Sequence, residues 1–256
     1  MRFKSLGSGS SGNATLVQVN GSDACNVLID CGLGFKQLIQ RLEQSAVQPH
    51  QLDAIFITHE HGDHIGCVQA LSSQYNIPVW MSMGTAVAMG FINSSGLLHT
   101  ASDGVTINIK GLQLCPFTVP HDAREPLQLT CSDGVAKLGV LTDLGHATAH
   151  VLEQLQGCHS LMLECNHDTE LLAASSYPPF LKTRVGGPYG HLSNSQAADI
   201  VRAVQHSGLK HIVAAHLSQQ NNLPDLVKNS LSKTLSCNDD DIIIASQDSG
   251  SPWLDI

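Results

Sequence analysis

The chain has 256 residues, 42% hydrophobic and 14% charged, with a formal net charge of −9 at pH 7. That length can bury a large core, and α/β folds of this size are often one domain, so a single domain over 1–256 is expected. No run of 18 apolar residues is present, so no helical membrane span is implied, and the acidic balance argues against broad affinity for nucleic acid.

The N-terminus lacks a charged-then-apolar leader pattern, so a cytoplasmic location is expected. Eight cysteines are scattered without a C-x-x-C pair, which in a reducing compartment reads as buried thiols rather than a disulfide frame. The Gly/Ser run Gly7 to Asn13 leads into a strand at Ala14 to Val19. Its backbone N–H groups, with Ser10 and Asn13, can cradle a phosphate; a plain flexible turn is the equal alternative. Cys25 to Ile29 is a strand ending at Asp30, and Leu38, Ile39, Leu42 and Val47 are spaced for a helix over Phe35 to Val47.

The buried-strand run Ile55-Phe56-Ile57 then breaks into Thr58-His59-Glu60-His61-Gly62-Asp63-His64. Four ligand-type side chains within six residues suit a borderline divalent cation, and Asp63 at a helix start is favoured by the helix dipole. Ile65 to Leu71 continues as helix, Ile77 to Met81 is a strand, and Met83 to Phe91 a helix whose Met and aromatic residues are core. Val105 to Ile109 and Leu112 to Val119 form a hairpin that ends at Pro120-His121-Asp122. Ala136 to Thr142 is a strand ending at Asp143, and Ser160 to Leu163 leads to Glu164-Cys165-Asn166-His167-Asp168. Residues 195–207 form an amphipathic helix with Ser193, Asn194 and Ser195 as capping candidates; His211 to Ala215 is a strand ending at His216. A helix over Leu223 to Leu235 and a last strand, Asp241 to Ala245, precede a polar tail.

Asp30, His59, His121, Asp143 and His216 each stand where an apolar strand runs out, which is where α/β proteins gather ligands from distant sequence. His59, His61, Asp63, His64, His121, Asp143 and His216 are too many donors for one tetrahedral ion and suit two ions sharing a carboxylate.

With these residues in place, the chain resembles the metallo-β-lactamase superfamily. The resemblance implies an α/β, four-layer αββα sandwich with a dinuclear centre at one sheet edge. His59, His61 and His121 would hold the first ion, and Asp63, His64 and His216 the second. Asp143 would bridge them, and Asp30 would be the buried carboxylate orienting the ligand loop. Ser5 to Asn13, Thr142-Asp143-Leu144-Gly145, Glu164 to Asp168, Gly190 to Asn194 and Ala215 to Ser218 together look like the YycJ/WalJ-type exonuclease branch, related to RNase Z, RNase J and PhnP-like enzymes. The clamp domain of RNase J and the exosite arm of RNase Z have no counterpart here.

What this resemblance implies is a phosphodiesterase with two divalent metal ions, Zn or Mn, acting on DNA or another phosphodiester as a 5′-to-3′ exonuclease. A metal-bridging hydroxide would attack phosphorus, with Asp63 at the centre and a protonated His191 or His167 as proton donor. His167 and Asp168 are expected at the rim, with a helix cap as the plainer reading of Asp168. Lys182 and Arg184 are candidates for flanking phosphates, a solvated basic face being equally compatible. Two further readings stand beside this one: a thioester, lactone or small-phosphodiester hydrolase of the same superfamily, and a metal-binding regulatory protein without catalysis.

Overall fold

In the computed structural model, which describes residues 1–22, 24–91 and 96–256, the chain completes most of one sheet before starting a second. β1 (Arg2–Gly7), β2 (Ala14–Val19) and β3 (Cys25–Ile29) form an antiparallel meander. α1 (Phe35–Gln44) then crosses over to β4 (Ala54–Phe56), which lies parallel to β3. α2 (Gly62–Ile65) and α3 (Val68–Tyr75) lead to β5 (Val79–Met81), and α4 (Met83–Met89) to β6 (Leu98–Thr100), both parallel to β4.

The second sheet repeats the plan. β7 (Ile107–Ile109), β8 (Leu112–Thr118), β9 (Leu127–Ser132) and β10 (Lys137–Leu141) are antiparallel neighbours. After α5 (Ala149–Leu155) comes β11 (Ser160–Glu164), then α6 (Thr169–Ala174), α7 (Pro179–Val185) and α8 (Asn194–Val204). β12 (His211–Ala215), α9 (Pro224–Leu235) and β13 (Ile242–Ile244) complete a parallel run from β10. β14 (Leu254–Asp255) returns to pair with β1. The spatial orders are β14-β1-β2-β3-β4-β5-β6 and β13-β12-β11-β10-β9-β8-β7.

Strand side chains alternate between faces, and that period sorts the core into three slabs. Phe3, Val17, Val27, Ile29 and Phe56 of one sheet meet Leu114, Leu129, Leu138, Val140 and Val213 of the other. Leu28, Ile55 and Val79, on the opposite face of the first sheet, are covered by Leu38, Leu42, Val68 and Leu71 from α1 and α3. Leu161, Leu163, Ile212 and Ala214 are covered by Val151, Leu155, Ala197, Val201, Val227 and Leu231 from α5, α8 and α9. This is the expected four-layer αββα sandwich. No helix among the described residues is long and apolar enough to cross a membrane.

Several elements differ from expectation. The helix expected over 65–71 is broken: α2 stops at Gly66, whose Cβ, if it had one, would stand 2.6 Å from the Cys31 carbonyl, and α3 starts at Val68. Phe91 lies beyond α4, which Gly90 ends in a left-handed conformation. The arm expected from Val105 shortens to β7, and the polar tail contains β14. β1, β6, β9, α5 and α7 do not follow from the sequence pattern as read above; β9 reads Leu-Gln-Leu-Thr-Cys-Ser, a visible alternation.

Where β3, β10 and β12 run out, Asp30, Asp143 and His216 have φ of 61°, 56° and 55°. For residues other than glycine that left-handed region is uncommon, although Asp, Asn and His are enriched in it. At each strand end the conformation turns the chain sharply as it leaves the sheet.

Candidate metal centre

Both sheets deliver their parallel strand ends to one edge. β4 ends at Phe56, and the chain continues through buried Ile57 and Thr58 into His59 before α2 begins. Asp30 anchors this passage: its Oδ1 accepts the Thr58 N–H at 2.9 Å, and its carboxylate accepts the Thr58 hydroxyl at 3.0 Å. His64 Nδ1–H donates to Asp30 Oδ2 at 2.7 Å, so one buried carboxylate sets two turns of the loop.

The first cluster is His59, His61 and His121. His61 Nδ1 lies 3.1 Å from His59 Nε2 and 3.3 Å from His121 Nε2. Two nitrogens each 2.0–2.1 Å from a tetrahedral ion stand about 3.3 Å apart, so this spacing fits a shared cation. The outer nitrogens fix the tautomers: His59 Nδ1–H donates to Thr58 Oγ1 at 3.0 Å and His121 Nδ1–H to the Gly190 carbonyl at 3.1 Å. Burial lowers the pKa of both His59 and His121, keeping these rings in the neutral, ligating form.

The second cluster is Asp63, His64 and His216, joined to the first through Asp143. Asp63 Oδ2 is 3.6 Å from His64 Nε2 and 3.4 Å from His216 Nε2, and Asp143 Oδ2 is 3.0 Å from His64 Nε2. Asp143 Oδ2 and His216 Nε2 are nevertheless buried without a hydrogen-bond partner. A buried polar atom left so is costly, and a cation would satisfy both. Ligand atoms of His59, His61 and His121, of His59, His64 and Asp143, and of Asp63, His64 and His216 each lie within 4.8 Å of one another. Donor chemistry, spacing and orphaned atoms all fit divalent cations.

The electrostatics agree. Burial opposes charge on His64, yet Asp30 and Asp143 outweigh it and hold the ring well above an ordinary imidazole. His216 behaves alike, raised by Asp143, Asp63 and Glu164 against its burial. Burial also opposes the Asp143 charge, but His216 and His64 hold that carboxyl well below the usual range, and Asp63 is depressed too.

Glu164, at the end of β11, was not singled out as a site residue. It is fully buried; Oε1 accepts from His191 Nδ1 at 2.8 Å and His216 Nδ1 at 3.0 Å, while Oε2 takes the N–H groups of Leu144 and Leu192 at 3.1 Å each. The charge on His191 and the hydrogen bonds from His191 and His216 overcome burial and hold its pKa at about 2. The signal was the rule that picked Asp30, Asp143 and His216: an apolar strand ending in a polar side chain. His191 stands beside both clusters, its ring 5.4 Å from His121 and 5.3 Å from His216. Its burial is outweighed by Glu164 and Asp143, which raise its pKa to about 9.

The remaining candidates divide. Asn13 lies in the centre, but its amide nitrogen points at Asp63 Oδ2 (3.2 Å) and its carbonyl oxygen accepts the Gly9 N–H (2.8 Å), so it braces Asp63 rather than facing a substrate. Ser10 is exposed on the loop, whereas buried Ser8, not anticipated, accepts the His216 N–H at 2.8 Å. Arg184 Nε reaches Asp122 Oδ2 at 2.6 Å, beside His121 and His61. Lys182 is turned away, its ammonium on the Ala173 carbonyl. His167 is not at the rim: it is 2% exposed, and burial pushes its pKa down, which removes the proton a donor would need. Asp168 caps α6 through the N–H groups of Glu170 and Leu171, the plainer of its two readings. Among the described residues His50, His99, His146, His150, His159, His206 and His211 join no donor cluster.

Comparison with known proteins bears on these observations. The family model described as a beta-lactamase superfamily domain matches residues 25–217. Exodeoxyribonuclease YycJ of Bacillus anthracis is 32% identical over 246 residues, covering 92% of this chain and 89% of that protein. Exodeoxyribonuclease WalJ of Streptococcus pneumoniae serotype 2 is 32% identical over 231 residues, covering 88% and 84%. The metallo-beta-lactamase fold protein YhfI of Bacillus subtilis matches over 99% of both chains with a TM-score of 0.76 at 15% identity, a likeness in fold.

Proposed function

Because the chain belongs to the β-lactamase superfamily, in the family of the exodeoxyribonucleases YycJ and WalJ, we propose that it is a two-metal phosphodiesterase degrading DNA from the 5′ end. One observation carries this reading: Asp30, Asp63, Asp143 and Glu164 place four carboxylates among converging imidazoles at one sheet edge. Two divalent cations would balance that charge. His59, His61 and His121 would hold one and Asp63, His64 and His216 the other, with Asp143 between them; five imidazoles suit Zn²⁺, and Mn²⁺ is the alternative.

Bound there, such ions would supply an activated water and offset the negative charge of a phosphodiester. The chain's own groups do the rest. Asp30, Glu164, Thr58 and the Gly190 carbonyl hold His64, His216, His59 and His121 so that the opposite ring nitrogen faces inward. Glu164 accepts the Nδ1–H of His191, keeps that ring protonated and leaves Nε2–H to donate to a phosphate oxygen and then to the departing one. Asn13 keeps Asp63 in place from the Gly/Ser turn.

The test is digestion of 5′- and 3′-labelled single- and double-stranded DNA by protein stripped of metal and refilled with Zn²⁺ or Mn²⁺, beside a thioester substrate. Refilled protein should release the 5′ label as short products and leave the thioester intact, while stripped protein should cleave neither substrate. A fully loaded protein that opens the thioester and no phosphodiester would overturn the proposal.

A further inference from the structure

The chain has only 6 Phe, 2 Trp and 3 Tyr. Two of these aromatic side chains are exposed, Phe180 at 73% and Tyr189 at 60%, and both fall in the segment running from α7 to His191. Burying such rings is ordinarily favourable, so two left in water on one short segment need a reason.

The segment is fastened to the metal centre. Tyr189 presents its carbonyl to the Asp122 N–H at 3.0 Å, the Gly190 carbonyl accepts from His121 Nδ1, and His191 N–H donates to the Val185 carbonyl at 2.8 Å. Gly190 is required there, since a Cβ would stand 2.1 Å from the Arg184 carbonyl. On α7, Leu181, Lys182 and Val185 are half-buried, while Phe180, Thr183 and Arg184 are exposed. Phe180 and Arg184, four apart, therefore share the outward face. Arg184, 61% exposed, reaches back to Asp122, whose Oδ1 is 3.4 Å from His121 Nε2. An exposed guanidinium and two exposed rings thus lie on the segment whose backbone is fastened to Asp122 and His121.

We propose that Phe180 and Tyr189 are a stacking platform for the bases of single-stranded DNA, with Arg184 meeting the adjoining phosphate. The inference rests on the nuclease reading and adds to it the residues that grip the strand. Rings stack on any base, so the platform suits an exonuclease that must accept every sequence. It also answers how an acidic protein holds a polyanion without a broad basic face: base stacking supplies affinity away from the ions.

The test is fluorescence anisotropy with two 3′-labelled oligonucleotides whose phosphorothioate linkages resist cleavage, one intact and one carrying consecutive abasic sites at its 5′ end, on metal-loaded protein. Wild type should prefer the intact strand by on the order of tenfold. Phe180→Ala and Tyr189→Ala should each lose most of that preference, and Tyr189→Phe should retain it, since stacking needs the ring and not the hydroxyl. Equal binding of both strands by wild type, or a preference surviving in both alanine variants, would overturn the platform. So would a preference unaltered in variants whose mass by light scattering falls, which would make this face a contact between copies of the chain. Wild type that binds the intact strand preferentially yet cuts no DNA would sink the nuclease reading and leave the platform to be judged by its variants.

Discussion

Asp30 Oδ2 lies 2.7 Å from His64 Nδ1, and the same carboxylate holds Thr58, which in turn accepts from His59. One carboxylate thus orients a histidine of each cluster. Asp30→Asn is the informative change, because Asn tolerates the left-handed backbone at this position (φ 61°) while surrendering the charge that keeps His64 basic. Metal affinity, measured by chelator competition, should fall by about 10–100-fold with the fold retained. Unchanged affinity would show that backbone alone shapes the loop.

His191 is expected to matter only where the leaving group needs a proton. A DNA 3′-oxygen departs poorly as an alkoxide, whereas p-nitrophenolate leaves unaided. His191→Ala should therefore lower kcat on DNA on the order of 100-fold, and on bis-p-nitrophenyl phosphate by much less. Equal losses on both substrates would assign His191 to charge stabilisation instead.

The Glu164–His191 pair gives the metal-free protein a pH-dependent stability. His191 has its pKa raised to about 9, so its contribution is fully present below the ordinary imidazole value of 6.5 and is lost as pH rises through 9. Glu164 is depressed to about 2, so its contribution is present above 4.5 and is lost as pH falls through 2. Urea midpoints of stripped protein should peak between those ordinary values, and His191→Asn should flatten the alkaline limb. An alkaline limb unaltered in the variant would place the titrating group elsewhere.

The convergence of these residues was legible in large part because they obey a local rule: His59, Asp143 and His216 each follow an apolar run, and His61, Asp63 and His64 crowd behind the first. Glu164 obeyed the rule and was passed over, since its importance lies in bonds to Leu144 and Leu192, which arrive from loops far apart in sequence. α7 was not legible either. Pro178-Pro179 reads as a break, and Leu181 and Val185 leave too narrow an apolar stripe to signal a helix that packs through half-buried residues. The depth of His167 was hidden for a similar reason: its bridge to Ser193 places it under a segment that sequence proximity does not reveal.

Close approach of backbones sets the last prediction, and it reverses what a motif would suggest. Gly62 lies inside the ligand run, at the first position of α2, and a Cβ there meets nothing within 4 Å. Gly32 lies outside the run, yet a Cβ on it would stand 1.7 Å from the Asp63 carbonyl and 2.8 Å from the Asn13 nitrogen. Those are the atoms of the 2.7 Å Asn13 N–H···O Asp63 bond that locks the Gly/Ser turn onto the metal loop. Gly62→Ala should change stability by less than about 1 kcal/mol, helix propensity favouring Ala, and should keep both metals. Gly32→Ala should cost about 1–3 kcal/mol through overpacking. Because the relief available is to push Asp63 away, it should also weaken the Asp63–His64–His216 cluster more than the other, so that, if the proposed pair of ions binds, stoichiometric titration should give one tight ion fewer than wild type. A Gly32→Ala protein with two tight ions and a wild-type urea midpoint would mean that the loops yield without disturbing their ligands.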